Sequence, residues 1–257
     1  MSAVDEAPVR VERRGPALVV ALNRPARRNA INQALADGLY TAFAQAEADP
    51  QVRAGVLVSS TPGMFCAGGD LIAMAEGEKP DVAALFDLLA SPARKTPWIA
   101  AVDGPVLGGG LEISLACEMI VAAETAAFGL PEPRRGILAA GGGVFRLPRW
   151  IPRAVAMELV LTGRAISAAR AYDLGLVNRV TPRDGLLDAA LDLAAGVADC
   201  APASVKESLA IVRAAHETPE DELWTQARAA LARLRATDDH REGLQAFAQK
   251  RPPVWGR

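Results

Sequence analysis

Short, continuous runs of apolar residues recur along the chain and are separated by longer segments in which apolar positions recur every three or four residues. Three of these runs are GVLVS at 55–59, WIAAV at 98–102 and MIVAA at 119–123. An uninterrupted apolar run is typical of a parallel strand that is covered on both faces. Because such strands alternate with helices here, the pattern predicts an α/β fold wound as a spiral.

The N-terminal part of the chain predicts a hairpin followed by a helix. Residues 9–11 and 17–22 are strand-like, and the Gly15-Pro16 pair between them is typical of a turn. Asn32 is a favourable N-cap residue for the segment that follows it. That segment carries an apolar stripe at helical spacing, formed by Leu35, Leu39, Phe43 and Ala46.

The pattern changes after about residue 200 and predicts amphipathic helices. Residues 218–221 (TPED) are a helix start with proline at the first helical position and acidic residues beside it. A final helix is predicted from about Asp238, and Pro252-Pro253 must stop it. The helix that begins at residues 218–221 has one apolar face, formed by Leu223, Ala227, Ala230, Leu231 and Leu234. We therefore divide the chain into a core domain, 1–199, and a C-terminal helical segment, 200–257, which packs on the core or on a neighbouring subunit.

Composition and charge restrict the class of protein. Apolar residues make up 51% of the 257 residues, which is enough to bury a substantial core. The net charge of −2 provides no basic field that would recruit a nucleic acid. No apolar run approaches the roughly 20 residues that a membrane-spanning helix needs. We expect a soluble protein that binds neither nucleic acid nor membrane.

Cysteine usage indicates a reducing compartment. Cys66, Cys117 and Cys200 are odd in number and far apart, which favours the cytoplasm over a disulfide framework. The first ten residues contain Asp5 and Glu6 and no hydrophobic stretch, unlike a signal peptide. The two histidines form no metal-ligand spacing with a cysteine, so no metal site is expected. No histidine or lysine near Cys66 in sequence would activate its thiol, which favours a small buried residue over a nucleophile.

Two glycine-rich turns each lie where a strand is predicted to feed a helix: FCAGGDL at 65–71 and VLGGGLE at 106–112. Glycine-rich backbone at a helix start exposes unpaired N–H groups, and the helix dipole adds positive potential there. Two such turns that face each other would each offer one N–H to a developing oxyanion. Taken alone, either turn is better explained as a tight corner between a strand and a helix. A dinucleotide site is disfavoured because Ile113 replaces the third glycine of its fingerprint. Asp70 is expected to cap the helix after the first turn.

Two glutamates are the candidate acid and base. Glu112 lies in the first turn of the helix after the second glycine turn, and Glu132 lies between Pro131 and Pro133. In isolation Glu112 is explained as an acid that favours the helix dipole, and Glu132 as a solvated loop acid. Together they suit addition across an activated double bond, in which one carboxylate takes a proton from water and one carboxylic acid protonates carbon.

Five motifs occur in the order seen in one enzyme family. They are NRPARRNAIN, FCAGGDL, LGGGLE, FGLPEPRRGI and GGGVFRLPR, and the chain thereby resembles the enoyl-CoA hydratase/isomerase (crotonase) family from about residue 8 to its end. The C-terminal run EGLQAFAQKRPPVWGR also resembles bacterial members that act as enoyl-CoA or carnitinyl-CoA hydratases. The resemblance implies a crotonase-like spiral of repeated ββα units with a C-terminal helical oligomerisation segment.

By position, the resemblance implies an oxyanion hole made by the backbone N–H groups of Gly69 and Gly109, with Glu112 and Glu132 as catalytic residues. It also implies that a group of loop residues lines coenzyme A: Ala26, Arg27, Arg28, Ala67, Asp70 and Leu71. A guanidinium suits a CoA phosphate. Solvation alone explains arginines in a loop equally well.

The resemblance gives the C-terminal segment a role in trimer formation and in closing the active site. It places Phe247 and Lys250 near a subunit boundary and the CoA site, and it places Gly136 near the acyl pocket. The acyl pocket is further expected to use the helix after Asp70, at about 72–89. A homotrimer or a dimer of trimers is expected.

The predicted function is reversible hydration of an enoyl-CoA in fatty-acid or related acyl-CoA metabolism. Coenzyme A is part of the substrate, so no separate cofactor is expected. Carnitinyl-CoA dehydratase and enoyl-CoA isomerase activities remain alternatives within the family. A catalytically silent binding protein of the same fold is the alternative from a different class, and the presence of both glutamates weighs against it. No G-x-S-x-G motif supports a serine hydrolase.

Overall fold

The computed structural model of the protein describes residues 7–256. The first six residues, which carry Asp5 and Glu6 of the signal-peptide argument, and Arg257 lie outside the described residues. The strands are β1 Val9–Arg14, β2 Ala17–Leu22, β3 Ala54–Ser59, β4 Trp98–Val102, β5 Pro105–Leu107, β6 Met119–Ala123, β7 Ala127–Gly129, β8 Ala165–Ser167 and β9 Arg179–Thr181. The helices are α1 Gln33–Ala48, α2 Leu71–Ala75, α3 Ala83–Ala90, α4 Gly109–Ser114, α5 Gly143–Trp150, α6 Arg153–Thr162, α7 Ala168–Asp173, α8 Leu186–Ala198, α9 Pro202–Ala214, α10 Glu220–Arg235 and α11 Asp238–Gln249.

The strands form two sheets. The larger has the order β1-β2-β3-β4-β6-β9, and the smaller has the order β5-β7-β8. β1 and β2 form the predicted antiparallel hairpin, and β2, β3, β4, β6 and β9 run parallel. The three continuous apolar runs are therefore parallel strands, as predicted, and the chain is an α/β protein that ends in helices.

The inner strands of the larger sheet, β2, β3, β4 and β6, are buried on both faces, which explains why they are almost continuously apolar. In β2, Leu18 and Val20 point into one core cluster, and Ala17 and Val19 point into another. Helix α1 covers the first face with the predicted stripe of Leu35, Leu39, Phe43 and Ala46. Helix α8 covers the second face with Leu186, Ala190 and Ala194.

Local capping chemistry sets where several helices begin. The Asn32 side chain accepts a hydrogen bond from the Leu35 N–H, so α1 begins as predicted. The Thr237 side chain caps α11 in the same way, and α11 ends at Gln249, before Pro252. Pro219 occupies the N-cap of α10, one position earlier than the first helical position that we predicted.

One further expectation needs correction. The single helix predicted at about 72–89 is two short helices, α2 and α3, because Gly77 adopts a φ of +100° and Pro80 follows it. The apolar face of α10 is only partly covered, since Ala230 is buried whereas Leu231 is 44% exposed. Within residues 7–256, every helix is too short or too polar to cross a membrane. The division of the chain at residue 199 stays a prediction.

Candidate active site

The two glycine-rich turns lie against each other. Cys66 of the first turn pairs with Val106 ahead of the second in a parallel bridge, in which the Cys66 N–H donates to the Pro105 carbonyl at 3.0 Å and Cys66 O accepts from Leu107. The backbone of Gly68 lies so close to the second turn that a Cβ atom on Gly68 would lie 3.2 Å from the Leu107 carbonyl oxygen. Its φ of +100° also favours glycine. The turns are thus joined through their backbones, as an oxyanion site between them requires.

The backbone N–H groups of Gly69 and Gly109 are both unpaired within the described part of the chain. The Ile31 carbonyl accepts from the Asp70 N–H, and the Ile31 N–H donates to the Gly68 carbonyl. The pairing with Ile31 therefore uses the backbone on either side of Gly69 and does not use the Gly69 N–H. A Cβ atom on Gly109 would lie 3.8 Å from the Gly69 nitrogen. Two unpaired donors from different turns therefore lie side by side, which is the arrangement that stabilises an oxyanion.

Glu112 lies in the first turn of α4 and is buried, with 5% of its surface exposed. Its Oε1 accepts a hydrogen bond of 2.9 Å from the N–H of Gly143, at the start of α5. A Cβ atom on Gly141 would lie 2.9 Å from Glu112 Oε2, so that backbone faces the other oxygen. Burial raises the pKa of Glu112, the Gly143 N–H opposes this, and the charge of Glu132 raises the pKa further. The effect of Glu132 on Glu112 indicates that the two carboxyl groups lie near each other.

Glu132 begins the short 3₁₀ turn Glu132–Arg135 that follows β7 and is 8% exposed. It is therefore a buried acid and not a solvated loop acid. A Cβ atom on Gly108 would lie 2.7 Å from its Oε1. Its Oε2 is buried and has no hydrogen-bond partner among residues 7–256. Burial raises the pKa of Glu132, and its own backbone N–H only partly opposes this. Glu132 consequently lies beside the turn that carries Gly109, with one buried oxygen unpaired among the described residues.

Asp70 has the predicted capping role and a second partner. Its Oδ1 accepts from the Ala73 N–H at 3.2 Å, which starts α2. Its Oδ2 forms an ion pair with the Arg24 guanidinium at 3.2 Å. The buried Asn29 amide donates to the carbonyl oxygen of Phe65 at 2.8 Å. These contacts hold the NRPARRN segment against the first turn, so the Asp70 side chain is used within the protein.

The residues expected to line CoA on that segment are exposed beside the first turn. Ala26 and Arg27 belong to the 3₁₀ turn Pro25–Arg27, and Arg28 follows in a left-handed conformation with φ of +52°. The Arg28 carbonyl accepts from the Ala67 N–H at 3.1 Å, which brings this group and the first turn together. Leu71 is 38% exposed at the start of α2.

Gly136 lies four residues after Glu132, at the end of the same turn. Its φ is +70°, and a Cβ atom there would have no neighbour within 4 Å. Gly136 is itself exposed, so this open space faces solvent, and the place of Gly136 near an acyl pocket stays a prediction. A side chain at this position would occupy that space.

Phe247 and Lys250 lie at the end of α11 and are not packed into the site of their own chain. Phe247 is 87% exposed, so its ring has almost no contact with its own chain. Lys250 is exposed and ends the helix with φ of +54°. Both side chains are therefore open to solvent in this chain, and their place near a CoA site stays a prediction.

Sequence reasoning missed the segment that holds Glu112. Gly141 and Gly142 precede α5, Gly143 begins it, and the Arg146 side chain on that helix folds back over Gly142. The only signal was the glycine run in GGGVFRLPR, which has the same composition as the second turn. Cys66 is fully buried as predicted, and burial raises the pKa of its thiol to about 12.

Comparison with known proteins identifies relatives over the whole chain. A sequence model described as Enoyl-CoA hydratase/isomerase matches residues 12–257. Carnitinyl-CoA dehydratases of Salmonella agona and Salmonella choleraesuis are each 39% identical over 257 residues, covering 95% of this chain and 96% of theirs. Among solved structures, an enoyl-CoA hydratase of Mycobacterium tuberculosis H37Rv has a TM-score of 0.92 at 39% identity, covering 98% of this chain and 99% of that one. An enoyl-CoA hydratase of Bacillus anthracis has a TM-score of 0.90 at 32% identity, covering 96% and 98%.

Proposed function

The chain belongs to the enoyl-CoA hydratase/isomerase family, and we propose that it catalyses the reversible addition of water across the 2,3 double bond of an enoyl-CoA thioester. One observation carries this proposal: two buried carboxyl groups, Glu112 and Glu132, flank two adjacent unpaired N–H groups, those of Gly69 and Gly109. Hydration needs an acid, a base and an oxyanion site at one thioester, and this arrangement supplies all three.

The two N–H groups would bind the thioester oxygen. As water adds to C3, negative charge moves from the double bond onto that oxygen, and the fixed amide dipoles stabilise it without reorganisation. Each such donor typically contributes a factor of about 10² to 10³ in kcat. Because both donors are backbone groups held by two joined turns, their geometry exists before the substrate binds.

The environments of the glutamates suggest different roles. Glu112 accepts the N–H of Gly143 and faces Gly141, and both N–H groups favour its anion. We assign it as the base that takes a proton from the attacking water. Glu132 has a buried oxygen without a partner among the described residues, which favours its neutral form. We assign it as the acid that gives its proton to C2. The water oxygen bonds to C3, one proton passes to Glu112 and one leaves Glu132, so the reverse sequence is a dehydration.

Coenzyme A would lie along the NRPARRN segment and the first turn. The exposed guanidinium groups of Arg27 and Arg28 suit its phosphates, and the backbone near Ala67 suits the pantetheine arm. The exposure of Phe247 and Lys250 supports the proposal that a second copy, within a trimer or a dimer of trimers, brings them to this region. The cytoplasm is the proposed compartment.

Dehydration of carnitinyl-CoA is a second candidate, since carnitinyl-CoA dehydratases are among the relatives. Phe86 of α3 favours it. A Cβ atom on Gly141 would lie 2.5 Å from the Phe86 ring and 2.9 Å from Glu112 Oε2, so an aromatic ring lies beside the proposed base. A trimethylammonium group on C4 would be bonded next to C3, where that base works, and an aromatic face attracts such a cation.

The test compares wild-type protein with Glu112→Gln and Glu132→Gln, using crotonyl-CoA, longer enoyl-CoA chains and crotonobetainyl-CoA in ¹⁸O-labelled water. Each substitution is expected to lower hydration by about 10² to 10⁴ while product binding, measured calorimetrically, is retained. Glu124→Gln, at an exposed position, is the matched control. Wild-type rates in both variants would refute the mechanism. Double-bond migration without ¹⁸O uptake would indicate an isomerase, and binding without turnover a silent binding protein.

A further inference from the structure

Three consecutive glycines hold Glu112 and are packed too tightly to admit side chains. A Cβ atom would lie 2.5 Å from the Phe86 ring if added to Gly141, and 3.0 Å from Leu130 Cδ2 if added to Gly143. At Gly142 the φ of +115° disfavours any other residue. Since the Gly143 N–H is the donor to Glu112, the packing of this loop sets where the carboxylate lies.

Arg146 forms the outer wall of the same loop. Its backbone N–H donates to the Gly142 carbonyl at 2.8 Å. A Cβ atom on Gly142 would lie 3.2 Å from Arg146 Cδ and 3.3 Å from both Nε and Nη1. The guanidinium therefore lies flat against the loop that carries the donor to Glu112.

The Arg146 guanidinium is partly withdrawn from water, and no carboxylate of residues 7–256 forms an ion pair with it. Arg146 Nη1 is buried and has no hydrogen-bond partner in the described residues. Burial lowers the pKa of Arg146, Arg94 lowers it further, and Glu112 raises it; the Cys117 thiol and Arg149 are the other charged or titratable groups around it. The charge of Glu132 in turn raises the pKa of Glu112, and that of Arg146 lowers it. The partly buried cation thus lies against the loop that carries the Gly143 donor to the proposed base.

We propose that Arg146 is a positioning residue for the reaction: it holds the loop of Gly141, Gly142 and Gly143 against Glu112 and supplies the positive charge that favours the ionised base. This rests on the proposed function in taking Glu112 as the base. A charge held in the protein interior stabilises a nearby carboxylate anion more than an exposed charge does. Removing the charge should therefore make Glu112 harder to ionise. It should also loosen the loop that carries the Gly143 N–H, the donor to Glu112.

The experiment measures kcat/KM against pH with crotonyl-CoA for Arg146→Met, Arg146→Gln and Arg146→Lys. In the two neutral variants kcat should fall by about tenfold to a hundredfold, and KM should change much less. Because activity needs ionised Glu112, the acid limb of the profile should move to higher pH in these variants. Arg146→Lys keeps the charge without the planar fork, so its acid limb should stay near that of the wild type while kcat falls.

Arg149→Met is the matched control, three residues along the same helix at an exposed position. A neutral variant whose acid limb did not move, or moved no more than that of Arg149→Met, would overturn the proposal. If Arg146→Met fails to fold, Arg146→Gln carries the same test. A second readout is independent of turnover: NMR titration of ¹³C-labelled glutamate carboxyls, with Glu112 assigned by Glu112→Gln. If the wild-type protein does not hydrate crotonyl-CoA but the Glu112 pKa rises in the neutral variants, the role of Arg146 is supported and the proposed function is rejected. If the protein is a hydratase but the Glu112 pKa does not change in those variants, the proposed function stands and the role of Arg146 is rejected.

Discussion

The carboxylate of Glu132 lies directly against the backbone of Gly108, such that a methyl group added to Gly108 would lie 2.7 Å from Glu132 Oε1. Gly108 adopts a φ of +53°, in the region that glycine favours, and its N–H donates to the Gly129 carbonyl at 3.0 Å. The next residue is Gly109, the proposed oxyanion donor. One glycine therefore sets the spacing between the proposed acid and the proposed oxyanion hole.

Replacing Gly108 with alanine should displace Glu132 while leaving both glutamates and both donors in the sequence. We expect kcat with crotonyl-CoA to fall by about 10²-fold or more, because small displacements of a reacting group have effects of that size. Gly196→Ala in α8 is the control, since its added methyl meets nothing within 4 Å. Steady-state kinetics and thermal unfolding would be measured for both. Unchanged turnover in Gly108→Ala would show that the Glu132 position tolerates displacement, contrary to its proposed role.

A second prediction concerns Gly109 and Ile31. A methyl group on Gly109 would lie 2.8 Å from Ile31 Cδ1, so alanine there must push the turn away from its neighbour. We expect Gly109→Ala to lower kcat by about 10²-fold through a misplaced donor. Ile31→Val removes Cδ1 and should restore part of the loss in the double variant. Ile31→Val alone should keep most activity and lower the free energy of unfolding by about 1 kcal/mol. A double variant no faster than Gly109→Ala would contradict the steric explanation.

The elements that sequence predicts well are those that depend on neighbours in the chain. Asn32 and Asp70 cap helices because an oxygen needs only to reach an N–H three residues on. The parallel strands were predictable because burial on both faces leaves a continuous apolar run. In contrast, α2 and α3 were merged into one helix because their apolar spacing continues across the break at Gly77.

The site is harder to predict because its contacts join distant segments. Gly143 reaches Glu112 across 31 residues of sequence. Arg24 reaches Asp70 across 46, and nothing in the local composition of either segment indicates its partner. Residue types alone therefore led to the carboxylates and the turns, whereas the residues that hold them required the fold.

The three cysteines should differ sharply in reactivity. Burial raises the pKa of Cys66 and of Cys117 to about 12 each, so neither forms appreciable thiolate at pH 8. Cys200 is exposed at the end of α8. A disulfide reagent such as DTNB should therefore titrate one thiol rapidly in the native protein and three in denaturant, with the rapid phase lost in Cys200→Ser. A second rapid thiol in the native protein would mean that one of the buried cysteines is accessible.

The last prediction concerns how α9 is attached to the core. Glu118 receives Arg94 from the core and Arg213 from α9, and it also accepts the Trp98 N–H at 2.7 Å. The Arg94 side chain is only 2% exposed, so glutamine at position 118 would leave a buried guanidinium without its counter-charge. Removing one partner of a buried ion pair costs about 3 kcal/mol or more. We expect Glu118→Gln to lower the free energy of urea unfolding by that amount and to speed tryptic cleavage within α9.

Glu217→Gln is the control for that experiment, because Glu217 pairs with Arg149 at the surface, where the two side chains are 62% and 43% exposed. Exposed pairs contribute only about 0 to 1 kcal/mol, so this variant should unfold almost as the wild type does. The prediction would be contradicted if Glu118→Gln had the same free energy of unfolding as Glu217→Gln. That result would mean that Arg94 and Arg213 are solvated well enough without the Glu118 carboxylate. Glu118 would then not be what attaches α9 to the core.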